Sequence, residues 1–400
     1  MPSLSARVMQ TELAATFAMA ARARALRAAG HDVISLSLGE PDFPTPPHVI
    51  EAAHEAALRG ETKYPPLGGT EALKSAIRRK YARDQQLDVA DQNILVTNGG
   101  KQAIFNFILS VIDRGDEVII PAPAWAGYPQ TVQFAGGIPV FIPCPQADGF
   151  LIRPENLEAA ITPRTKVLIL NYPSNPSGAA CGIPSLQGIA EVLRRHPQLW
   201  VLSDDIYEHL LFDGFTYATL AAIAPDLAER TVTLTGVSKS YAMTGWRVGF
   251  CAGPAPLIKA MTVVQATATS GVSTLSQAAA IAALDGPQDY LAERAATYQS
   301  RRDLVVTALN EIPGMSCHTP NGAFYVFPDI SACIGKTSKA GTRITGDESF
   351  AMTLLNEAHV ATVQGAAFAM SPHIRISTAT SNELLSQACT RIAEFCEGLK

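Results

Sequence analysis

The sequence predicts an α/β protein whose larger part is a mostly parallel seven-stranded sheet covered by helices. Three observations carry this. Short β-branched or apolar runs alternate with helical patterns through the middle of the chain. Hydrophobic residues make up 47% against 17% charged, enough apolar surface to cover such a sheet on both faces. The 400 residues exceed one ordinary domain and suit a large unit with a smaller companion.

The strand runs are Ile94 to Thr97, Glu117 to Ile120, Pro139 to Ile142, Lys166 to Leu170, Trp200 to Ser203, Thr231 to Thr235 and Val248 to Ala252. In such sheets ligands bind beyond the carboxyl ends of the strands, so the segments after these runs are where chemistry is expected. A Pro/Gly-rich piece, Gly39 to Pro47, separates an N-terminal helical arm from the main region, and after Gln288 the pattern changes to a long helix. The expected division is residues 1–48 as arm and part of a small domain, 49–290 as the large domain, and 291–400 as the rest of the small one. Ala260 to Leu284 contains no charged residue, yet its Thr, Ser and Gln content is too high for a lipid-exposed span. It reads as a buried, hydroxyl-rich loop and helix.

Charge and cysteine usage narrow the function. With 31 Lys and Arg against 36 Asp and Glu, no cationic excess offers itself to a phosphate backbone, so nucleic acid is not an expected partner. The seven cysteines are scattered without a C-x-x-C pair, which fits a reducing cytoplasm better than a disulfide or zinc framework. No metal site is expected. Met1 to Ala28 lacks the apolar core of a secretory signal. Its arginines leave a mitochondrial presequence as the alternative, against which stands its direct run into apparent folded core.

Four segments hold candidate chemistry. Asn98-Gly99-Gly100-Lys101-Gln102 opens a helical run, and two glycines before a helix N-terminus let backbone N–H groups approach an anion. The same residues also suit an ordinary tight turn, since neither a P-loop nor a dinucleotide fingerprint is complete. Asn171 to Gly178 is dense in turn residues, and Asn175-Pro176 is a candidate cis bond. Ser203-Asp204-Asp205-Ile206-Tyr207 puts a carboxylate and a phenol at a strand end, although Asp204 alone also fits a helix cap. Lys239 follows the Thr231 strand; a solvated lysine is the bland reading, and a Schiff-base lysine the chemical one.

Taken together, the chain resembles the fold type I pyridoxal 5′-phosphate aminotransferases, in the bacterial aspartate/prephenate branch of the aspartate aminotransferase family. The resemblance rests on Gly39 to Phe43, Lys63-Tyr64 with Gly68-Gly69, Asn98 to Gln102, Trp125 with Tyr128-Pro129, Asn171 to Gly178, Ser203 to Leu210, Ser238 to Gly249, Gly322 to Tyr325 and Ile374 to Ser377, in the family's order across nearly the whole chain. It implies that Lys239 holds the cofactor aldehyde as a Schiff base and shuttles the substrate α-proton. Asp204 pairs with the pyridine nitrogen. Tyr207 and Asn175 bond the ring hydroxyl oxygen, and Trp125 stacks on the ring. Arg247, Ser238 and the backbone at Gly99, Gly100 and Lys101 take the phosphate. Arg375 clamps the substrate α-carboxylate with Gly39, Trp125 and Asn175 beside it. Tyr64 reaches the neighbouring active site of a homodimer.

The implied activity is ping-pong transamination between an L-amino acid and a 2-oxo acid such as 2-oxoglutarate. Lys101 matches the lysine that pairs with a distal carboxylate, which favours aspartate or another dicarboxylic substrate. The N-terminal arm pulls the other way. Where relatives carry Pro-Ser-x-Thr it keeps Thr16 but has Ala14 in place of Ser, and Glu12 adds negative charge, so aromatic, prephenate-type or neutral substrates are the alternative. A second departure is Gly236, where many relatives place a phosphate-binding Ser. A lyase or decarboxylase of the same fold would share Lys239, Asp204 and Arg247. A nicotinamide-dependent dehydrogenase would need a G-x-G-x-x-G that is missing.

Overall fold

The computed structural model describes residues 4–9 and 15–400, so Glu12 and Ala14 lie outside the described residues. In chain order its strands are β1 (Ile34–Ser35), β2 (Ile94–Thr97), β3 (Glu117–Ala122), β4 (Ile138–Pro143), β5 (Thr165–Asn171), β6 (Trp200–Asp204), β7 (Thr231–Gly236), β8 (Gly249–Ala252), β9 (Tyr325–Val326), β10 (Val360–Ala361), β11 (Val363–Gln364) and β12 (Ile374–Ser377). Seven of them form one sheet in the order β2-β8-β7-β6-β5-β3-β4. Only β8 runs against its neighbours β2 and β7; the other pairings are parallel. All seven strand runs read from the sequence are present, with ends shifted by a residue or two.

Alternation along β3 and β5 shows why their middles are apolar on both faces. Val118, Ile120, Val167, Ile169 and Leu202 enter one core, whereas Ile119, Leu168, Leu170 and Val201 enter another on the opposite face. A strand buried on both sides has no polar face to offer. β4 is an edge strand and is largely accessible, which suits Pro139 and Pro143, because neither can donate to a further strand.

A separate apolar cluster gathers both chain ends: Ile34 and Leu36 pack with Val305, Leu309, Val326, Ile374, Leu385 and Ile392. There β1 pairs with β10, and β12 lies between β9 and β11. The long helix expected after Gln288 runs from Asp289 to Asn310. From β1 the chain crosses toward the large sheet as a strap. Ser377 N–H donates to Leu36 O at 2.9 Å, and Arg301 grips Asp42 through two 2.8 Å bonds.

One expectation is corrected. Ala260 to Leu284 is not a buried loop and helix but the end of helix Ala255–Ala268, a short break, and helix Thr274–Asp285. Its hydroxyl-bearing Thr267, Thr269, Ser270 and Ser273 are exposed; the buried polar groups are Gln265 and Gln277. Both are satisfied by main-chain carbonyls, Gln265 by Leu67 and Val96 and Gln277 by Val272.

The sheet's carboxyl edge is packed against the loop that follows β2. A Cβ added to Gly249 would overlap the backbone of Gly99 and Gly100, whereas one at Gly245 would meet nothing within 4 Å. Gly249→Ala is therefore expected to destabilise the protein by about 2–3 kcal/mol, as overpacking against backbone does. Gly245→Ala should leave stability nearly unchanged. Urea unfolding of both variants checks the pair, and equal midpoints would contradict it.

Candidate active site

Five strand ends and the strap enclose a cavity of about 420 Å³. β2 leads into Gly99-Gly100, β3 into Trp125, β5 ends in Asn171, β6 in Asp204, and β7 leads to Ser238-Lys239. β8 begins just after Arg247, and β12 contributes Arg375. Gly39, Gly100, Lys101, Trp125, Asn175, Asp204, Tyr207, Ser238, Lys239, Arg247 and Arg375 all line this one space, although they come from segments more than 300 residues apart. Two predicted residues do not. Gly99 sits behind the wall against Arg247, and Tyr64 is 98% exposed and outside the lining.

One wall of the cavity is backbone and guanidinium. Gly99 has φ +78°, open to glycine at little cost, and a Cβ there would fall on the Arg247 guanidinium. Helix Gly100–Val111 starts immediately afterwards, so its free N–H groups and dipole face the cavity beside that cation. Arg247 donates to Thr244 O at 2.9 Å and Asn98 O at 3.3 Å.

At the floor, Asp204 is 5% exposed and accepts from Tyr128 Oη at 2.6 Å and Ile206 N at 3.3 Å. Burial is the largest influence on its carboxyl and pushes it up to about 6, against the pull of the Tyr128 bond. Lys239 Nζ donates to Gly39 O at 2.7 Å. Burial pulls its amine down to about 8, with Glu40 opposing and Arg375 and Arg247 assisting. At pH 7 roughly a tenth of such an amine is neutral, against well under a thousandth for an ordinary lysine.

Arg375, which also lines the cavity, is 2% exposed. It donates to Asn175 Oδ1 at 2.9 Å and Ser37 O at 2.6 Å, lies over the Tyr325 and Phe368 rings, and has no partner for Nε. A buried guanidinium with an unfilled donor and no carboxylate is costly unless an anion completes it. Tyr207 and Tyr325 share a 3.0 Å hydroxyl contact. Trp125 stands edge-on to Tyr128, with Lys101 Nζ 5.6 Å from its ring centre. The ring needs Gly127 behind it, where a Cβ would collide with the indole.

Several contributors carried no assigned role in the sequence. Tyr128, Tyr325 and Glu40 fall inside the quoted matching segments, but their partners come from other elements. Tyr128 could have been suspected from its place three residues after Trp125 at a helix start, which puts both aromatics on one side. Glu40 lines the cavity and accepts from Thr244 Oγ1. Thr16 also lines it, from the N-terminal arm. Among the described residues no group of three or more His, Cys, Asp or Glu could hold a metal ion, and no helix is long and apolar enough to cross a membrane.

A buried amine, a buried carboxylate and two guanidinium groups line one cavity, a set of groups suited to carbonyl and amino chemistry on anionic molecules. Residues 31–392 match the family described as aminotransferase class I and II. The chain is 51% identical over 399 residues to an aspartate/prephenate aminotransferase of Cereibacter sphaeroides, covering 100% of both chains. It is 52% identical over 379 residues to an aspartate aminotransferase of Rhizobium meliloti, covering 95% of this chain and 92% of that one. A crystal structure of the aspartate aminotransferase from Rhizobium meliloti superposes with a TM-score of 0.97 at 49% identity, covering 100% of both chains. That of Thermus thermophilus with maleate gives 0.92 at 40% identity, covering 98% of this chain and 100% of that one. The chain belongs to the aminotransferase class I and II family, and it is an aminotransferase.

Burial of Asp204 makes the stability of the protein with nothing bound depend on pH. Its folded value, about 6, lies above the ordinary 3.8, so between those values the folded state holds the extra proton. Stability from this group therefore falls as pH rises from about 4 through 6. Asp204→Asn, which keeps an acceptor for Tyr128, is expected to raise the stability of the unliganded protein by up to about 3 kcal/mol at pH 8 and by little at pH 4. Urea unfolding at the two pH values reads the difference; a gain independent of pH would contradict the assigned cause.

Proposed function

We propose that the protein is a pyridoxal phosphate-dependent transaminase that moves an amino group between an L-amino acid, aspartate or another dicarboxylic one favoured, and a 2-oxo acid such as 2-oxoglutarate. The observation that carries this is the single cavity lined by Lys239, Asp204, Arg247 and Arg375. The residues present fit the cofactor. The cradle at Gly99-Gly100 with Arg247 suits its phosphate, and Asp204 suits its ring nitrogen. When bound, pyridoxal phosphate supplies an aldehyde that condenses with amines and a pyridinium ring that withdraws electrons from the substrate α-carbon.

Each residue's task then follows from its surroundings. Asp204 keeps the ring nitrogen protonated, with Tyr128 fixing the carboxylate orientation. Tyr207 and Asn175 would hold the ring hydroxyl oxygen, and Trp125 would bound the ring face; all three line the cavity. Ser238 and the Gly100-Lys101 backbone assist Arg247 at the phosphate. Arg375 would bind the substrate α-carboxylate and thereby turn the α C–H toward Lys239. Lys239 Nζ would take and return that proton; its lowered basicity leaves it able to do so near neutral pH. Gly39 O orients the amine, and a side chain at Gly39 would strike Tyr325.

Lys101 is an accessible cation on the cavity wall at a helix N-terminus, which supports a distal substrate carboxylate. The Thermus thermophilus relative with maleate, a dicarboxylate, supports the same reading. Phe17, Leu38 and Ile104 line the same cavity and favour, as a second reading, aromatic or prephenate-type side chains in it, in keeping with the name of the Cereibacter sphaeroides relative. The exposed Tyr64 supports a homodimer in which it reaches the neighbouring phosphate. Residues 49–290 form the cofactor-holding domain, with 1–48 and 291–400 as arm and small domain. Seven buried free cysteines support a reducing, cytoplasmic setting.

Lys239→Ala is expected to lower kcat by at least about 10³-fold and to abolish the visible cofactor band. Arg375→Ala should lower kcat/KM for amino acids about a hundredfold while cofactor affinity stays within about threefold. Equal loss of both would contradict its role. With 2-oxoglutarate as acceptor, Lys101→Ala should cost about tenfold in kcat/KM for L-aspartate but little for L-phenylalanine. A matching loss for both amino acids would contradict the dicarboxylate assignment.

A further inference from the structure

Behind the turn that carries Asp204 and Tyr207 lies an enclosed polar cluster that takes no part in the cavity. The chain alternates there: Asp204, Ile206 and Tyr207 line the cavity, whereas Asp205 and Glu208 face the other way into protein. Glu208 is 4% exposed, and both of its oxygens are taken. Oε2 accepts from Lys80 Nζ at 2.5 Å and Gln85 Nε2 at 2.6 Å, and Oε1 from Thr235 Oγ1 at 2.6 Å. Lys80 is 1% exposed. Asp84 Oδ2 lies 3.8 Å from its amine and 3.3 Å from His209 Nε2, while Asp205 accepts from Ser203 Oγ at 2.9 Å and Thr219 Oγ1 at 2.7 Å.

These three donors come from two elements besides the turn. Lys80 and Gln85 belong to helix Glu71–Gln85, and Thr235 belongs to β7, which leads directly to Ser238-Lys239. One carboxylate thus joins the turn bearing Asp204 and Tyr207, the strand that delivers Lys239, and the helix behind them. A buried ion pair adds little net stability over apolar side chains of similar size, so stability alone does not account for it. What it supplies is direction: short bonds from three side chains admit one position of the carboxylate, where apolar packing tolerates sliding. Glu208 adjoins Tyr207 through one planar peptide, so displacement of one moves the other.

We propose that Lys80 and Glu208 are positioning residues for transamination, fixing through Thr235 the spacing of Asp204 and Tyr207 relative to Lys239. The inference rests on the functional reading above. Its test uses the holoenzyme of the wild type, of the double variant Lys80→Met/Glu208→Gln, which strands no buried charge, and of Thr235→Val, which removes one hydroxyl. Three quantities are measured on each: thermal unfolding, kcat, and the pH midpoint of the visible band of bound pyridoxal phosphate. The double variant is expected to unfold near the wild-type temperature, with its band midpoint moved by about half a pH unit or more and kcat lowered at least about tenfold, since a 1 Å misplacement can cost about a hundredfold. Thr235→Val should move both in the same direction by less.

Folded variants with the wild-type midpoint and kcat would overturn the proposal. Should the double variant fail to fold, Thr235→Val decides alone by the same criterion. Absence of a visible band from the wild type overturns the functional reading and this inference with it. A normal wild-type band with unmoved variants overturns the inference only.

Discussion

The structure depends on holding a lysine amine and an aspartate carboxylate out of water in the same cavity without letting them neutralise each other. Lys239 donates to a backbone carbonyl, and Asp204 accepts from a phenol. Each is thus satisfied by a neutral partner, and each keeps its reactivity for a bound molecule. Desolvation moves the amine down to about 8 and the carboxyl up to about 6, which brings both within reach of neutral pH. A direct ion pair between them would have used both groups up.

The parallel sheet makes this arrangement affordable in conformational terms. Strand ends deliver Asn171, Asp204 and the Lys239 loop to one rim on backbone already fixed by buried ladders. Around that rim the fixed charges are mostly positive. Arg247, Arg375 and Lys101 face Glu40 and a carboxyl that burial renders only weakly acidic. Such a cavity attracts molecules with several negative groups, which suits a phosphorylated cofactor and an amino acid bearing one or two carboxylates. Arg375 is the clearest case, because its cost is offset only when an anion arrives.

Much of this was legible in the sequence because it is local. The central strands are short β-branched or apolar runs, and the residues after them sit at the sheet's carboxyl edge by topology alone, so Asp204, Lys239 and the Gly99-Gly100 turn could be placed from the sequence. Contacts between distant segments left no periodic trace. Tyr128 and Asp204 are 76 residues apart, and Lys80 and Glu208 are 128 apart. The misread stretch, Ala260 to Leu284, failed for a related reason: an uncharged composition suggested burial, yet hydroxyls at a helix end and in the break after it serve equally well in water, and only packing distinguishes the two. Tyr64 is 98% exposed and lies outside the cavity lining, so the single chain gives it no partner in the site.

The central claim is that Lys239, Asp204 and the two guanidinium groups form one transaminating site. The most direct measurement is the visible absorption spectrum of the purified protein loaded with pyridoxal phosphate, recorded as L-aspartate is added without any 2-oxo acid. The account predicts a visible band that disappears with a rise in the near ultraviolet, one equivalent of 2-oxo acid released per site, and full recovery on adding 2-oxoglutarate. A protein that takes up no cofactor, or that holds it and releases no 2-oxo acid with any L-amino acid, would contradict the account.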